Sequence, residues 1–185
     1  HLQLPGFVSS IPFDSARQYE DYLARLRAVP RVLEQVTEVA RQGLKDGMMP
    51  PRYLLEKVVG QIDSIARPAG EENSFAEPLK HFPKSIPAAE QKRLHDAIVA
   101  AIDNEVRPAY RKLGQFVAKD YAPHGRSEPG VWQLANGDAI YRFDVEQMTT
   151  TRETPQRIHE IGLAEVKRIE DERTVIAKRQ GYQAL

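Results

Sequence analysis

His159 and Glu160 stand side by side in TPQRIHEIGLAEVKRIEDE, residues 154–172. A His-Glu pair on a helix is the first half of the HExxH zinc-protease pattern. There, two imidazoles one turn apart reach a single zinc ion from the same helix face, and the Glu beside the first polarises the bound water. Here Leu163 occupies the position of the second imidazole, so the pattern is broken and one imidazole is left. The neighbouring charges have a simpler reading. Lys167–Asp171 and Arg168–Glu172 are opposite charges at four-residue spacing, each worth roughly 0.2–0.5 kcal/mol on an exposed helix. The stretch reads as an amphipathic helix in which His159 is structural.

The remaining histidines, His1, His81, His95 and His124, lie in separate segments and form no His-x3-His pair. His95 sits beside Leu94 and is expected at the edge of the core. No GxSxG nucleophile elbow, phosphate-cradling GxxxxGK[ST] or GxGxxG is present. The residues assign no catalytic group and no metal ligand. Three positions remain as candidates for binding. Trp132 and Tyr141, with Phe143, either line a ligand groove or anchor a loop to the helices. Arg142, beside Tyr141, either meets a carboxylate or is simply solvated.

The elements that would carry these residues are helices separated by prolines. After an extended lead-in, Asp14 or Ser15 caps a first helix through Tyr19, Tyr22, Leu23 and Leu26. Pro30 is expected to end it and open a second helix, with Val32, Leu33, Val36, Val39, Ala40 and Leu44 facing inward. Pro50-Pro51 opens a third, with Tyr53, Leu54, Val58, Ile62 and Ile65 inward. Residues 67–87, with their prolines, Gly70 and charges, read as a flexible surface loop with one turn. A long helix follows through Leu94, Ile98, Ile102, Val106, Tyr110, Leu113 and Val117, and Pro108 should kink it. Residues 121–137 are dense in turn chemistry. The spacing of Ile140, Phe143 and Met148 favours a short helix at about 138–148, with a strand as the alternative. Thr154-Pro155 starts the last helix, in which Ile158, Ile161 and Val166 bury one side, and Gly181 ends it.

Composition bounds the function classes. The chain has 185 residues, 41% of them hydrophobic, enough for a core in a single helical domain or fragment spanning 1–185. Lys+Arg and Asp+Glu are both 26, so the basic excess expected of a nucleic-acid binder is lacking. No Cys is present, which removes thiolate ligands, disulfides and a cysteine nucleophile. No apolar run is long enough to span a membrane. The start at His1 suggests a processed or truncated product.

A resemblance sharpens this reading. The run LANGDAIYRFDVEQMTTTRETPQRIHEIGLAEVKRIEDE joins a G-x-x-x-Y segment, a Thr-rich break and a TP..IHEIGLAEV.RI..E helix. Together with GLKDGMMPPRYLLEKVVGQID, it resembles the bacterial family filed as domain of unknown function 885. That resemblance implies an all-α, multi-helix array with one long kinked helix and proline-rich loops, one part of a larger metallopeptidase-like fold. It implies HExxH-clan zinc peptidases, exported or periplasmic in bacteria, whose zinc helix lies downstream of the matched segment. No cofactor is then expected in this chain, zinc in the full-length parent, and as partners the missing C-terminal part and a peptide substrate. Trp132, Tyr141 and Arg142 would belong to a wall of the substrate cleft. The alternative is a self-contained, non-enzymatic helical interaction module, which predicts no large exposed apolar face.

Overall fold

The computed structural model describes residues 3–182. Among them the chain is helical throughout and without strands, as expected. The helices are α1 (Gln3–Gly6), α2 (Ala16–Lys45), α3 (Arg52–Ala66), α4 (Ala88–Ala101), α5 (Arg107–Phe116), α6 (Gly137–Thr149) and α7 (Pro155–Arg179). Two compact units are distinguished, residues 1–129 and 130–185.

In the first unit, α2 begins at Ser15, whose backbone N–H donates to the Gln18 side-chain oxygen at 3.0 Å, the reach-back half of a capping box. The helix then runs unbroken to Lys45 with Pro30 inside it, where two helices were expected. Leu26, Val29 and Leu33 stay in phase on one buried stripe. Burying each is worth about 1.5–3 kcal/mol, which together exceeds the roughly 3 kcal/mol that an interior proline costs. The register also differs from expectation. Thr37 faces inward, its hydroxyl donating to the Leu33 carbonyl at 2.8 Å, while Val32, Val36 and Val39 are exposed.

Helix α3 starts directly after Pro51, as the sequence suggests. Its buried face is Leu55, Ile62, Ile65 and Ala66, whereas Tyr53 and Leu54, expected inward, are exposed. Helices α4 and α5 continue one another, and α5 packs against both α2 and α3. Pro108 leaves its mark as a π turn at Ile102–Val106, just before it. The wider turn absorbs the missing donor and the crowding of the proline ring. After a second π turn and a 3-10 turn, Arg126 pairs with the start of α3. Its N–H donates to the Pro50 carbonyl and its carbonyl accepts from Arg52 N–H.

The 67–87 segment is not the flexible surface loop expected. It holds 3-10 turns at Gly70–Glu72 and Ser74–Lys80, and Phe75 is fully buried. Two core tyrosines hold it: Tyr22 donates to the Phe75 carbonyl at 2.6 Å, and Tyr19 to those of Pro78 (3.1 Å) and His81 (3.2 Å). Burial pushes the Tyr22 hydroxyl well above its ordinary range, so it remains a donor. The Tyr19 and Phe82 rings stack at 4.5 Å.

The same segment also satisfies the end of α3. The last carbonyls of a helix have no partners within it, and α3 ends without a glycine cap. Asn73, buried, donates its amide to the carbonyls of Ile65 and Pro68, both at 2.9 Å, and accepts from Phe75 N–H at 3.1 Å. Arg107 donates to the carbonyls of Ala66 and Arg67, both at 3.0 Å, and to Asp103 at 2.8 Å. Two side chains, one close by in sequence and one forty residues on, thus serve four successive carbonyls.

In the second unit, Gly137 is required by close packing: a Cβ there would lie 2.2 Å from the Val131 carbonyl oxygen. Helix α6 matches the expected short helix. It ends in Thr150, whose φ of 55° is left-handed, costly for a β-branched residue. Thr150→Gly is therefore expected to stabilise this helix end by up to about 1 kcal/mol. Amide exchange in the last turn of α6 should slow, and unchanged or faster exchange would contradict the strain.

Helix α7 begins as expected, Thr154 Oγ1 accepting from Arg157 N–H at 3.2 Å. It ends at Gly181, with φ of 88° and Tyr182 N–H donating back to the Ala177 carbonyl at 3.0 Å, a Schellman turn. The two expected ion pairs form, Lys167–Asp171 and Arg168–Glu172, each at 2.7 Å. The expected burial does not occur. No side chain of α7 is buried; Ile158 is half-buried, while Ile161 and Val166 are exposed at 42% and 55%.

Candidate functional site: the corner between α6 and α7

Helix α6, the Thr-rich turn and the start of α7 enclose a cleft of about 510 Å³, lined by Arg142, Glu146, Thr151, Arg152, Glu153 and Thr154. The turn is organised by its hydroxyls. Thr149 Oγ1 donates to the Val145 carbonyl at 2.7 Å, and Thr151 Oγ1 accepts from Glu153 N–H at 3.4 Å. This local side-chain bonding draws the backbone out of helix geometry, so the chain turns and two arginines reach one cleft. Arg152 lies 3.9 Å from Glu146 and is 94% exposed. Arg142 is exposed and has no hydrogen-bond or ion-pair partner among the described residues.

Arginines without a hydrogen-bond or ion-pair partner among the described residues also line two other clefts, Arg25 in one of about 320 Å³ and Arg111 in one of about 340 Å³. The corner cleft differs in gathering two arginines, Arg142 and Arg152. A further cleft in the first unit, about 540 Å³, is bordered by Pro5, Val8, Ile11, Phe13 and Pro78, and its Glu77 is paired with Lys80 at 2.6 Å. A groove of about 320 Å³ between α2 and α5 contains Glu34, Arg41 and Lys112. There Lys112 is 3.4 Å from Glu34, and Arg41 is paired with Glu38. A planar guanidinium without a partner suits bidentate recognition of a carboxylate. The corner cleft is therefore the best candidate for binding.

Of the three candidate positions, the structure brings only Arg142 into that cleft. Tyr141 precedes it on α6 and is 48% exposed; Trp132, in the 3-10 turn Val131–Gln133, is 66% exposed. The Trp132 indole lies over Gly130, where a Cβ would come within 2.1 Å of the ring. With Phe143 also exposed, these aromatics do not anchor their loop in a core. Sequence reading missed Glu146, Arg152 and Glu153, although TTTRETP carried a signal: clustered hydroxyls before a proline turn the chain and gather its charges.

The His159 stretch does not offer the paired imidazoles of a zinc helix. Glu160 is drawn to Arg157 at 3.4 Å, His159 is exposed and Leu163 blocks the second ligand position. Among the described residues no three or more His, Cys, Asp or Glu gather as a metal would require. His95, half-buried at the core's edge as expected, bonds Glu71 at 2.9 Å and Asp96 at 3.3 Å. No described helix is long and apolar enough to cross a membrane.

Comparison with known proteins adds a family and a fold. No curated protein matches the sequence. Among solved structures, the chain is similar to that of a candidate lipoprotein from Colwellia psychrerythraea, with a TM-score of 0.84 and 22% identity. The match covers 95% of this chain but 30% of that one, so the chain spans less than a third of its structural neighbour. At this identity the likeness shows the fold alone. The family model of bacterial proteins of unknown function DUF885 matches residues 1–185; the chain belongs to the DUF885 family.

Proposed function

We propose that this chain is the N-terminal helical part of a bacterial zinc-dependent peptidase, a hydrolase whose metal ligands and general base lie outside these residues. In this reading the α6–α7 corner, with Trp132 and Tyr141 nearby on the same unit, belongs to the wall of the substrate cleft. Arg142 receives a carboxylate of the peptide substrate. The observation that carries it is the unpartnered Arg142 guanidinium in an open cleft, on a chain that spans 30% of its structural neighbour. The candidate lipoprotein nature of that neighbour supports an exported, periplasmic setting. The alternative of a self-contained interaction module predicts no large exposed apolar face. It is disfavoured by Phe143, Met148, Val166, Ile169 and Ile176, all at least 47% exposed.

Because Arg142 is exposed and bonds nothing, Arg142→Ala should leave the fold intact. In the full-length protein it should raise KM for carboxylate-bearing peptides about tenfold with kcat unchanged, the loss of one charge-assisted contact. Amidated peptides should be insensitive. Absence of peptide hydrolysis by the wild-type full-length protein, or an unchanged KM in the variant, would contradict the proposal.

A further inference from the structure

Helices α3 and α5 pack tightly at Gly114, where a Cβ would lie 3.1 Å from Ile62 Cγ2. Both residues also line a cleft of about 340 Å³ between the two helices. Its apolar lining is Val59, Ile62, Ala66, Gly114 and Ala118, with Ile62 and Ala66 buried. Along one edge Arg111, Gln115 and Lys119 follow at four-residue spacing, all exposed, Lys119 within the π turn Val117–Tyr121. Neither cation has a hydrogen-bond or ion-pair partner among the described residues. Asp103, held low first by the Gly70 N–H, feels Arg111 as well, but its hydrogen bonds come from Gly70 and Arg107. The carboxylate in the cleft lining, Asp63, accepts from Arg67 Nε at 3.1 Å and is neutralised there. The cleft is therefore positive in a chain whose formal net charge is zero.

We propose that this cleft binds a slender amphiphilic carboxylate, its aliphatic chain on the apolar lining and its anionic head on the edge formed by Arg111, Gln115 and Lys119. Charge selects the head. A guanidinium with no partner suits bidentate carboxylate recognition, and the Gln115 amide and Lys119 ammonium add donors. Size selects the body. Ligand clefts run from roughly 300 to 1,000 Å³, so this one is at the low end and takes a single narrow chain. A docked helix, roughly 10 Å across with its side chains, would need a far larger surface, about 800 Å² per partner. The inference does not depend on the peptidase reading, which uses other residues.

The test is titration of the protein with sodium decanoate below its micelle-forming concentration, followed by calorimetry and by the methyl NMR signals of Ile62, Ala66 and Ala118. Saturable binding that shifts these methyls is expected, and added salt should weaken it. Decyltrimethylammonium, the same chain with the opposite charge, should bind about tenfold more weakly or not at all. Arg111→Ala combined with Lys119→Ala should weaken decanoate binding about tenfold, the loss of the charge-assisted contacts. Ala118→Trp, at an exposed position, should fill the cleft and abolish binding while Tm stays at the wild-type value. The proposal is overturned if decanoate leaves the three methyls unshifted, if the ammonium binds as tightly, or if the double variant binds decanoate like the wild type. Recruitment to anionic phospholipid vesicles without decanoate binding would also overturn it, since a lipid surface would then meet this basic edge.

Discussion

Asn73→Ala is expected to lower the stability of the first unit by about 3 kcal/mol, several degrees in Tm, because it orphans buried backbone groups at three places. The Asn73 amide serves the carbonyls of Ile65 and Pro68, and its oxygen serves Phe75 N–H. At 2% exposure, water cannot replace those bonds without opening the 3-10 turn that buries Phe75. Asn73→Asp should not rescue, since a carboxylate retains the acceptor but loses the two donors. Denaturant unfolding followed by circular dichroism measures the loss; a change under 1 kcal/mol would show that the end of α3 does not depend on this side chain.

Arg107→Ala is expected to cost about 2–3 kcal/mol by the same logic from the other side. It strips the carbonyls of Ala66 and Arg67 and leaves Asp103 without its guanidinium. The double variant should cost less than the sum, because once one pin is gone the last turn of α3 frays and its carbonyls reach water. A pH dependence accompanies this. The N–H of Gly70 first, and then Arg107, hold the Asp103 carboxyl below its usual range. A depressed folded-state pKa gives stability that is present above the ordinary carboxylate pKa, near 4, and lost as pH falls below it. Removing Arg107 should shrink that acid-dependent loss, while the Gly70 bond keeps part of it. Additive single costs with an unchanged acid limb would contradict the pinning of α3.

How much of this was legible in the sequence follows from where the information sits. Helix starts were local: Ser15, Pro51 and Thr154 each announce a cap within a few residues, and each begins a helix where expected. The ion pairs of α7 were local too. Pro30 misled because the apolar phase of Leu26, Val29 and Leu33 runs through it, and burial decides against the ring. Val32, Val36 and Val39 misled for a related reason. Helix α2 carries two apolar stripes, and spacing alone does not tell which one meets α5. The 67–87 segment has the composition of a loop but is held by Tyr19 and Tyr22 more than fifty residues earlier, contacts that no window of sequence contains. The candidate site divided in the same way. Arg142 was legible as a lone cation on a short helix. Its isolation in a cleft with Arg152 and Glu153 depends on a turn made by threonine hydroxyls.

The proposed peptidase, supported by the unpartnered Arg142 and by the small share of the structural neighbour that this chain spans, has its metal ligands outside these residues. Equilibrium dialysis of zinc against the full-length protein tests that directly, with the 185-residue chain dialysed in parallel. One zinc bound per full-length chain and none retained by the 185-residue chain is the expected result. A full-length protein that retains no zinc would contradict it.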